Sequence, residues 1–336
     1  MKRYLCLILC LLVLSACASG CSEAASPPPL SKCINIGNAL EAPKDQPWDV
    51  PMDAAYFSII QQAGFSCVRL PVRFSDYVDR QSDGYPLDED FLQQIDGYVH
   101  TALNLGLTLI LDFHHFLEMM DDPEANRACF VAIWRQLAER YRDQPNALVF
   151  ELLNEPQGNL DSRTWNDILA QTVRAIRAID PDRYLIVGGA NYNAIDSLRD
   201  LVLPDDRYLI ATVHYYEPND VTFQGNPYHA GYESLHGIAW NGTADEVAYL
   251  RERLSTAKSW ADAHGVPLFL GEFGVSKTAP ADTRLSWISA VANEASARGI
   301  DYGYWEFASG FGIYDLQSAT WDAALLDALI HPAEPE

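Results

Sequence analysis

A closed (β/α)₈ barrel is the fold class this sequence predicts, and three observations predict it. Eight continuous apolar runs alternate with amphipathic stretches of helical period. The runs lack a polar alternation, as strands covered on both faces do. Eight such repeats fit a single barrel domain of roughly 250–300 residues. A doubly wound open sheet is the competing architecture. It usually has fewer strands, and no glycine-rich phosphate turn follows the first run.

The elements follow in order. CINIG (33–37) is the first strand, with a helix over 53–63. FSCVRLP (65–71) is the second, with a helix over 87–105, and LTLILDFHH (107–115) the third, with a helix over 123–141. ALVFELLNE (147–155) and a helix over 162–179 make the fourth repeat. YLIVGG (184–189) is the fifth strand, after which NAIDSLRDL allows only a short helix. YLIATVHYY (208–216) precedes a helix over 245–264, and PLFLGEFG (267–274) a helix over 282–298. YGYWEFA (302–308) is the last strand, and a helix over 321–330 closes the chain.

Composition bounds the partners. The 336 residues are 49% hydrophobic and 11% aromatic, enough for one large core. Asp and Glu number 46 against 23 Lys and Arg, a formal charge of -23. This opposes nucleic acid or an anionic membrane surface as the main partner, since both need basic patches. A neutral or cationic substrate fits better, and part of the acidity is ordinary surface solvation.

The N-terminus reads as a targeting segment. Lys2 and Arg3 precede an apolar run over 5–14 that is too short to span a bilayer. LSAC (14–17) resembles a bacterial lipobox, so residues 1–16 are expected to leave as a signal peptide and Cys17 to carry lipid. ACA (16–18) leaves plain secretion open. A flexible tether is expected over 17–31 and one catalytic domain over 32–336. The expected location is the cell envelope (outer membrane, cell surface or periplasm), or outside the cell if the chain is simply secreted. Of the remaining cysteines, Cys21, Cys33, Cys67 and Cys129, none has metal-binding spacing. Cys67, within an apolar run, reads as a buried free thiol, and any disulfide partner is undetermined.

A barrel brings the C-terminal ends of its strands to one face, where active sites lie. Polar residues gather at nearly every such end: Asn38 and Glu41, Arg69, Asp112 with His114 and His115, Asn154 and Glu155, Asn191 and Tyr192, His214 with Tyr216, Glu272, and Trp305 with Glu306. Glu155 and Glu272 end strands that face each other across the mouth. Two carboxylates flanking a bond can hydrolyse a glycoside, one protonated and one ionised, provided their surroundings separate their pKa values. Arg69 is a natural partner for the ionised one. No Walker loop, GxGxxG or HExxH is present, so no cofactor is expected. Adjacent His114 and His115 should point to opposite faces of a strand, so no metal site is expected either. By the same alternation Glu306 points away from Trp305 and reads as structural. Pro156 should hold Glu155 in extended backbone.

NEP (154–156) together with GEFG (271–274), RLPVRF (69–74), DFHH (112–115), VHYY (213–216) and YWEF (304–307) resembles glycoside hydrolase family 5. The likeness spans about residues 35–330. INIGNALEAP and EFASGFGIYD further resemble the bacterial endoglucanase branch, some members of which also cut β-1,4-mannan. The resemblance implies Glu155 as acid/base and Glu272 as nucleophile. It implies Asn154 on the sugar 2-OH, Arg69 and Tyr216 on Glu272, and His214 near Glu155. It implies His114 and His115 beside the sugar, Trp305 beneath it, and Asn38 and Glu41 on its hydroxyls. The loop over 217–242 departs from the family inside; its Phe223, Tyr228, Tyr232 and Trp240 either line the cleft or pack the loop. The expectation is a monomeric, retaining endo-β-1,4-glucanase acting on a β-1,4-linked polysaccharide and touching membrane only through its lipid. Mannan, mixed-linkage glucan and xyloglucan are alternative substrates, and a non-catalytic glycan-binding lipoprotein is the rival of another class.

Overall fold

Parallel strands buried on both faces need a hydrogen-bonded neighbour on each side, and a closed ring provides one for every strand. The computed structural model describes residues 27–333 and shows that ring. Strands β1 (Cys33–Asn35), β2 (Cys67–Val72), β3 (Thr108–Phe113), β4 (Leu148–Glu151), β5 (Leu185–Gly188), β6 (Leu209–His214), β7 (Leu268–Phe273) and β8 (Asp301–Tyr304) pair in sequence order, and β8 returns to β1. Outside lie α1 (Ala55–Gln62), α2 (Glu89–Asn104), α3 (Leu117–Asp121), α4 (Pro123–Tyr141), α5 (Ser162–Arg177), α6 (Asn219–Thr222), α7 (Ala244–His264), α8 (Ala281–Ser296) and α9 (Ala323–Ile330). The weak fifth connection is a 3₁₀ turn, Ile195–Asp200. A small antiparallel pair, β9 (Tyr314–Asp315) and β10 (Thr320–Trp321), was not expected. Asp88, Asp122, Asp161 and Asp322 each accept a backbone N–H three residues on, and Thr243 with Glu246 forms a capping box, so local chemistry sets where these helices start.

The two-residue period of the strands decides what the barrel holds. Cys33, Cys67, Ile110, Val149, Ile186, Ile210 and Phe269 form one apolar cluster that fills the floor. Two residues further along the same strands come Asn35, Arg69, Asp112, Glu151 and Thr212, all buried and all polar. The larger apolar core lies between strands and helices. The barrel thus has a dry base and a polar layer directly beneath its mouth.

Three expectations change. The strands stop earlier than the apolar runs, so Asn154, Glu155, His114, His115 and Trp305 stand in the loops that follow them. Cys67 is not a free thiol: Cys33 and Cys67 open β1 and β2, stand opposite each other in register, and form a disulfide. Cys129 is the buried free cysteine among the described residues. Leu30, placed in the tether, is 2% exposed and joins the barrel floor, with its N–H on Asp301 Oδ2 at 3.3 Å. Residues 1–16, Cys17 and Cys21 lie outside the described residues. Among the described residues no helix is long and apolar enough to cross a membrane.

Candidate active site

Arg69 is carried by β2 into the centre of the polar layer, where it is fully buried. A buried guanidinium needs acceptors for all five of its N–H groups. Nε and Nη2 grip Glu151 at 2.6 and 2.9 Å. Nη1 donates to Asn35 Oδ1 at 2.9 Å and to Glu272 Oε1 at 2.7 Å. Nη2 also donates to Asn154 Oδ1 at 2.8 Å and lies 3.0 Å from Asp112 Oδ2. Asn35 is fixed in turn by donating to the carbonyls of Gly271 and Tyr304.

Glu272, on β7, is buried, and its second oxygen accepts the Tyr216 hydroxyl at 2.9 Å. Burial raises its pKa, while His214, Arg69 and the Tyr216 hydrogen bond oppose that rise. Glu155 stands after β4 with its side chain 26% exposed, and its Oε1 lies 2.8 Å from His214 Nδ1. Burial pushes Glu155 up to about 7, against the pull of Arg69 and with a contribution from Glu151. One polar atom each of Glu155, His214 and Glu272 lie within 4.8 Å of one another. The pair therefore has unlike surroundings: two charge-stabilising donors on Glu272, an imidazole and the cleft on Glu155.

Glu155 does not adopt the extended backbone expected before a proline. Its φ is +46°, a left-handed conformation unfavourable for a residue with a side chain. The pre-proline rule excludes right-handed helix, but tertiary contacts choose among the rest. The Asn154 N–H is tied to Phe113 O at 3.0 Å and Pro156 O accepts the Tyr192 N–H at 3.2 Å.

The cleft above the pair has a volume of about 620 Å³. Trp305, His114, His115, Glu41 and Trp48 line one part of it; Asn191, Tyr192, Phe223, His229 and Tyr232 line another. Trp305 lies parallel to His114, centroids 5.3 Å apart, and its ring packs where a Cβ on Gly37 would come to 2.8 Å. His114 and His115 both face the cleft, contrary to strand alternation, because β3 ends at Phe113. His114 Nδ1 lies 2.6 Å from Asp112 Oδ2, and its Nε2 lies 3.4 Å from Asn154 Nδ2. Burial, first of all, pushes His114 well below its usual range and Asp112 up to about 7. Glu41 is buried against the backbone N–H groups of Asn38 and Ala39, and burial lifts it to about 8. Asn38 itself is not among the lining residues; its backbone, at φ +62°, serves Glu41. In the divergent loop Phe223 and Tyr232 line the cleft, Trp240 is buried in packing, and Tyr228 is exposed away from it. Trp48, 40% exposed, sits at the rim, while Trp165 is core and donates to Gly188 O. Glu306 is buried and accepts three backbone N–H groups of its own loop.

A family model described as cellulase (glycosyl hydrolase family 5) matches residues 36–310. The chain belongs to glycosyl hydrolase family 5. Endoglucanase H of Acetivibrio thermocellus is 32% identical over 304 residues, covering 89% of this chain but only 32% of that longer protein. Endoglucanase C of the same organism is 30% identical over 308 residues, 81% of this chain and 84% of its own. Among solved structures, cellulose synthase subunit Z (CcsZ) from Clostridioides difficile matches with a TM-score of 0.88 at 48% identity, covering 90% of this chain and 99% of that one. Thermotoga maritima Cel5A in complex with cellobiose gives 0.87 at 39% identity, over 90% and 97%.

The family 5 site contains residues that sequence reading passed over. Glu151 was visible only as one charge inside the apolar run VFELL, and Asn35 as one amide inside CINIG. A lone buried charge on a barrel strand is itself the signal, because it requires a partner. Glu155, His214 and Glu272 are close enough to hold an ion. Their donor atoms are already committed, though: Glu272 to Arg69 and Tyr216, His214 Nδ1 to Glu155. A fixed guanidinium beside them opposes the approach of a further cation.

Replacing Arg69 by Met leaves Glu151, Asp112 and Glu272 buried without their cation. The expected cost is about 3–5 kcal/mol of unfolding free energy. These carboxylates would then favour their protonated forms in the folded state, so the cost should grow as pH rises. Urea unfolding at pH 5 and pH 8 checks both; an unchanged midpoint contradicts the network described above.

Proposed function

We propose that this chain is a retaining endo-β-1,4-glucanase, hydrolysing internal bonds of cellulose or related β-glucans by double displacement. The observation that carries this reading is the approach of Glu155 and Glu272 oxygens to within 4.8 Å. Carboxyl groups about 5–5.5 Å apart work as acid and nucleophile, whereas an inverting pair stands about 6.5–9.5 Å apart to admit a water. Glu272, held by Arg69 and Tyr216, attacks the anomeric carbon. Glu155 gives its proton to the glycosidic oxygen, and the aglycone leaves. Water then attacks the glycosyl-enzyme, Glu155 takes its proton, and the sugar departs with its original configuration. Asn154, fixed by Arg69, serves the 2-OH, and the Trp305 face carries the reacting sugar. Family membership and relatives named as endoglucanases support β-1,4-glucan as the target, and a cleft lined on both sides of the pair supports internal cutting.

Proton NMR of the first product should show the β-anomer, and Glu272→Gln should lower turnover by orders of magnitude with an unchanged melting temperature. Release of the α-anomer from carboxymethyl-cellulose or cello-oligosaccharides overturns the mechanism. Faster cleavage of mannan than of cello-oligosaccharides overturns the substrate.

Glu155 must be protonated to act as acid, and it sits at about 7. Glu272 must be ionised, and burial holds it above the ordinary glutamate range. The kcat/KM profile should therefore be a bell whose alkaline limb falls through about pH 7 and whose acid limb lies above pH 4.5. A profile still rising at pH 8 contradicts the assignment of Glu155.

We also infer an exported protein anchored by lipid on Cys17, a residue outside those described. The Cys33–Cys67 disulfide supports export, since such bonds persist in oxidising compartments. Cys17→Ser should move activity from the membrane fraction to the soluble one; activity that stays with the membrane overturns the anchor.

A further inference from the structure

Beside the acid lies a group of side chains with no role so far. Thr212 on β6 and Asn193 in the loop after β5 are fully buried. Thr212 Oγ1, both polar side-chain atoms of Asn193, and His214 Nε2 have no hydrogen-bond partner among the described residues. Buried polar atoms are almost always satisfied, and several in one place call for a shared partner such as an internal water.

These atoms are in one place. A Cβ on Gly271 would stand 2.7 Å from Thr212 Oγ1 and 3.1 Å from His214 Nε2. A Cβ on Gly188 would collide with Asn193 Oδ1 and lie 3.0 Å from Thr212 Cγ2. Glycines on the two strands flanking β6 thus leave room where the orphaned groups converge. The backbone is committed to the same end. Asn191, Tyr192 and Asn193 all have left-handed φ, at 67°, 62° and 52°. Three such non-glycine residues in a row persist only where surrounding contacts hold them. Here Asn191 and Tyr192 line the cleft, Asn193 is turned into the barrel, and its carbonyl accepts the His214 N–H at 2.9 Å.

We propose that Asn193 and Thr212 are positioning residues for Glu155: with one internal water they supply hydrogen bonds to His214 Nε2 and so keep the imidazole proton on Nδ1, facing Glu155 Oε1. Oε1 then has a fixed donor, and the acid proton resides on Oε2, free to reach the glycosidic oxygen. When that proton leaves, the new carboxylate keeps the Nδ1–H bond; in the second step it regains its proton from the attacking water. The charged groups facing His214 are Glu155, Glu272 at 3.6 Å, Arg69 and Glu151. Burial keeps the imidazole neutral among them, so its single proton must choose one nitrogen.

The inference rests on Glu155 being the acid, and its test separates the two. Wild-type enzyme is first shown to cleave a cello-oligosaccharide with retention; failure there sinks the reading of Glu155. Then kcat/KM is measured on that oligosaccharide and on dinitrophenyl β-cellobioside, whose leaving group departs without a proton. Thr212→Val should lower the oligosaccharide value by roughly ten-fold, a fraction of what a general acid supplies, and leave the dinitrophenyl value little changed. Thr212→Ser should restore the loss. An equal loss on both substrates, or none on either, overturns the proposal. Nitrogen-15 shifts of His214 in the wild-type enzyme decide the matter even if the valine variant does not fold: Nδ1 should be protonated and Nε2 not, and the reverse overturns it.

Discussion

The site is organised around the burial of one guanidinium. Arg69 has no access to water, so each of its five N–H groups must end on protein. It meets Glu151, Glu272, Asp112, Asn154 and Asn35, drawn from strands β1, β3, β4 and β7 or the loops just after them. No local segment can assemble such a set. It exists only when the ring is closed, which links the fold's global geometry to the position of Glu272.

The same network divides the labour of two identical side chains. One cation faces several carboxylates, so the cluster cannot hold them all ionised without cost. Glu272 receives the direct ion pair and the Tyr216 hydroxyl. Glu155 receives only a neutral imidazole and partial burial, and it is raised to about 7. The difference between Glu155 and Glu272 is thus one of surroundings. Aligned strands supply it by setting Glu272 directly on the cation and Glu155 one loop away.

Much of this was legible in the chain. Continuous apolar runs report strands covered on both sides, and eight of them report a ring. Glu155, Glu272, His214 and Tyr216 could be named because each falls near the end of such a run, and Arg69 as the charge that the second run carries. Other features were not legible. Glu151 and Asn35 sit inside apolar runs, where a single polar residue looks like noise until its partner across the barrel is known. Cys33 and Cys67 are separated by 34 residues, and only strand register makes them neighbours. Strand alternation would set His114 and His115 on opposite faces, but β3 ends at Phe113, two residues before the run LTLILDFHH does.

The sequence by itself determined the architecture, the acidic character and the pair of carboxylates. These follow from periodicity and residue type, which are local properties. Tertiary structure alone decided which of the strand-end residues face the cleft and that Asn38 serves it through backbone rather than side chain. It also decided that Glu155 is held in a left-handed conformation and that Cys67 is bonded. Those outcomes depend on contacts between segments far apart in the chain. At Glu155 such contacts outweigh the preference that a following proline imposes, because the hydrogen bonds and packing that fix the loop cost more to lose than one unfavourable φ costs to keep.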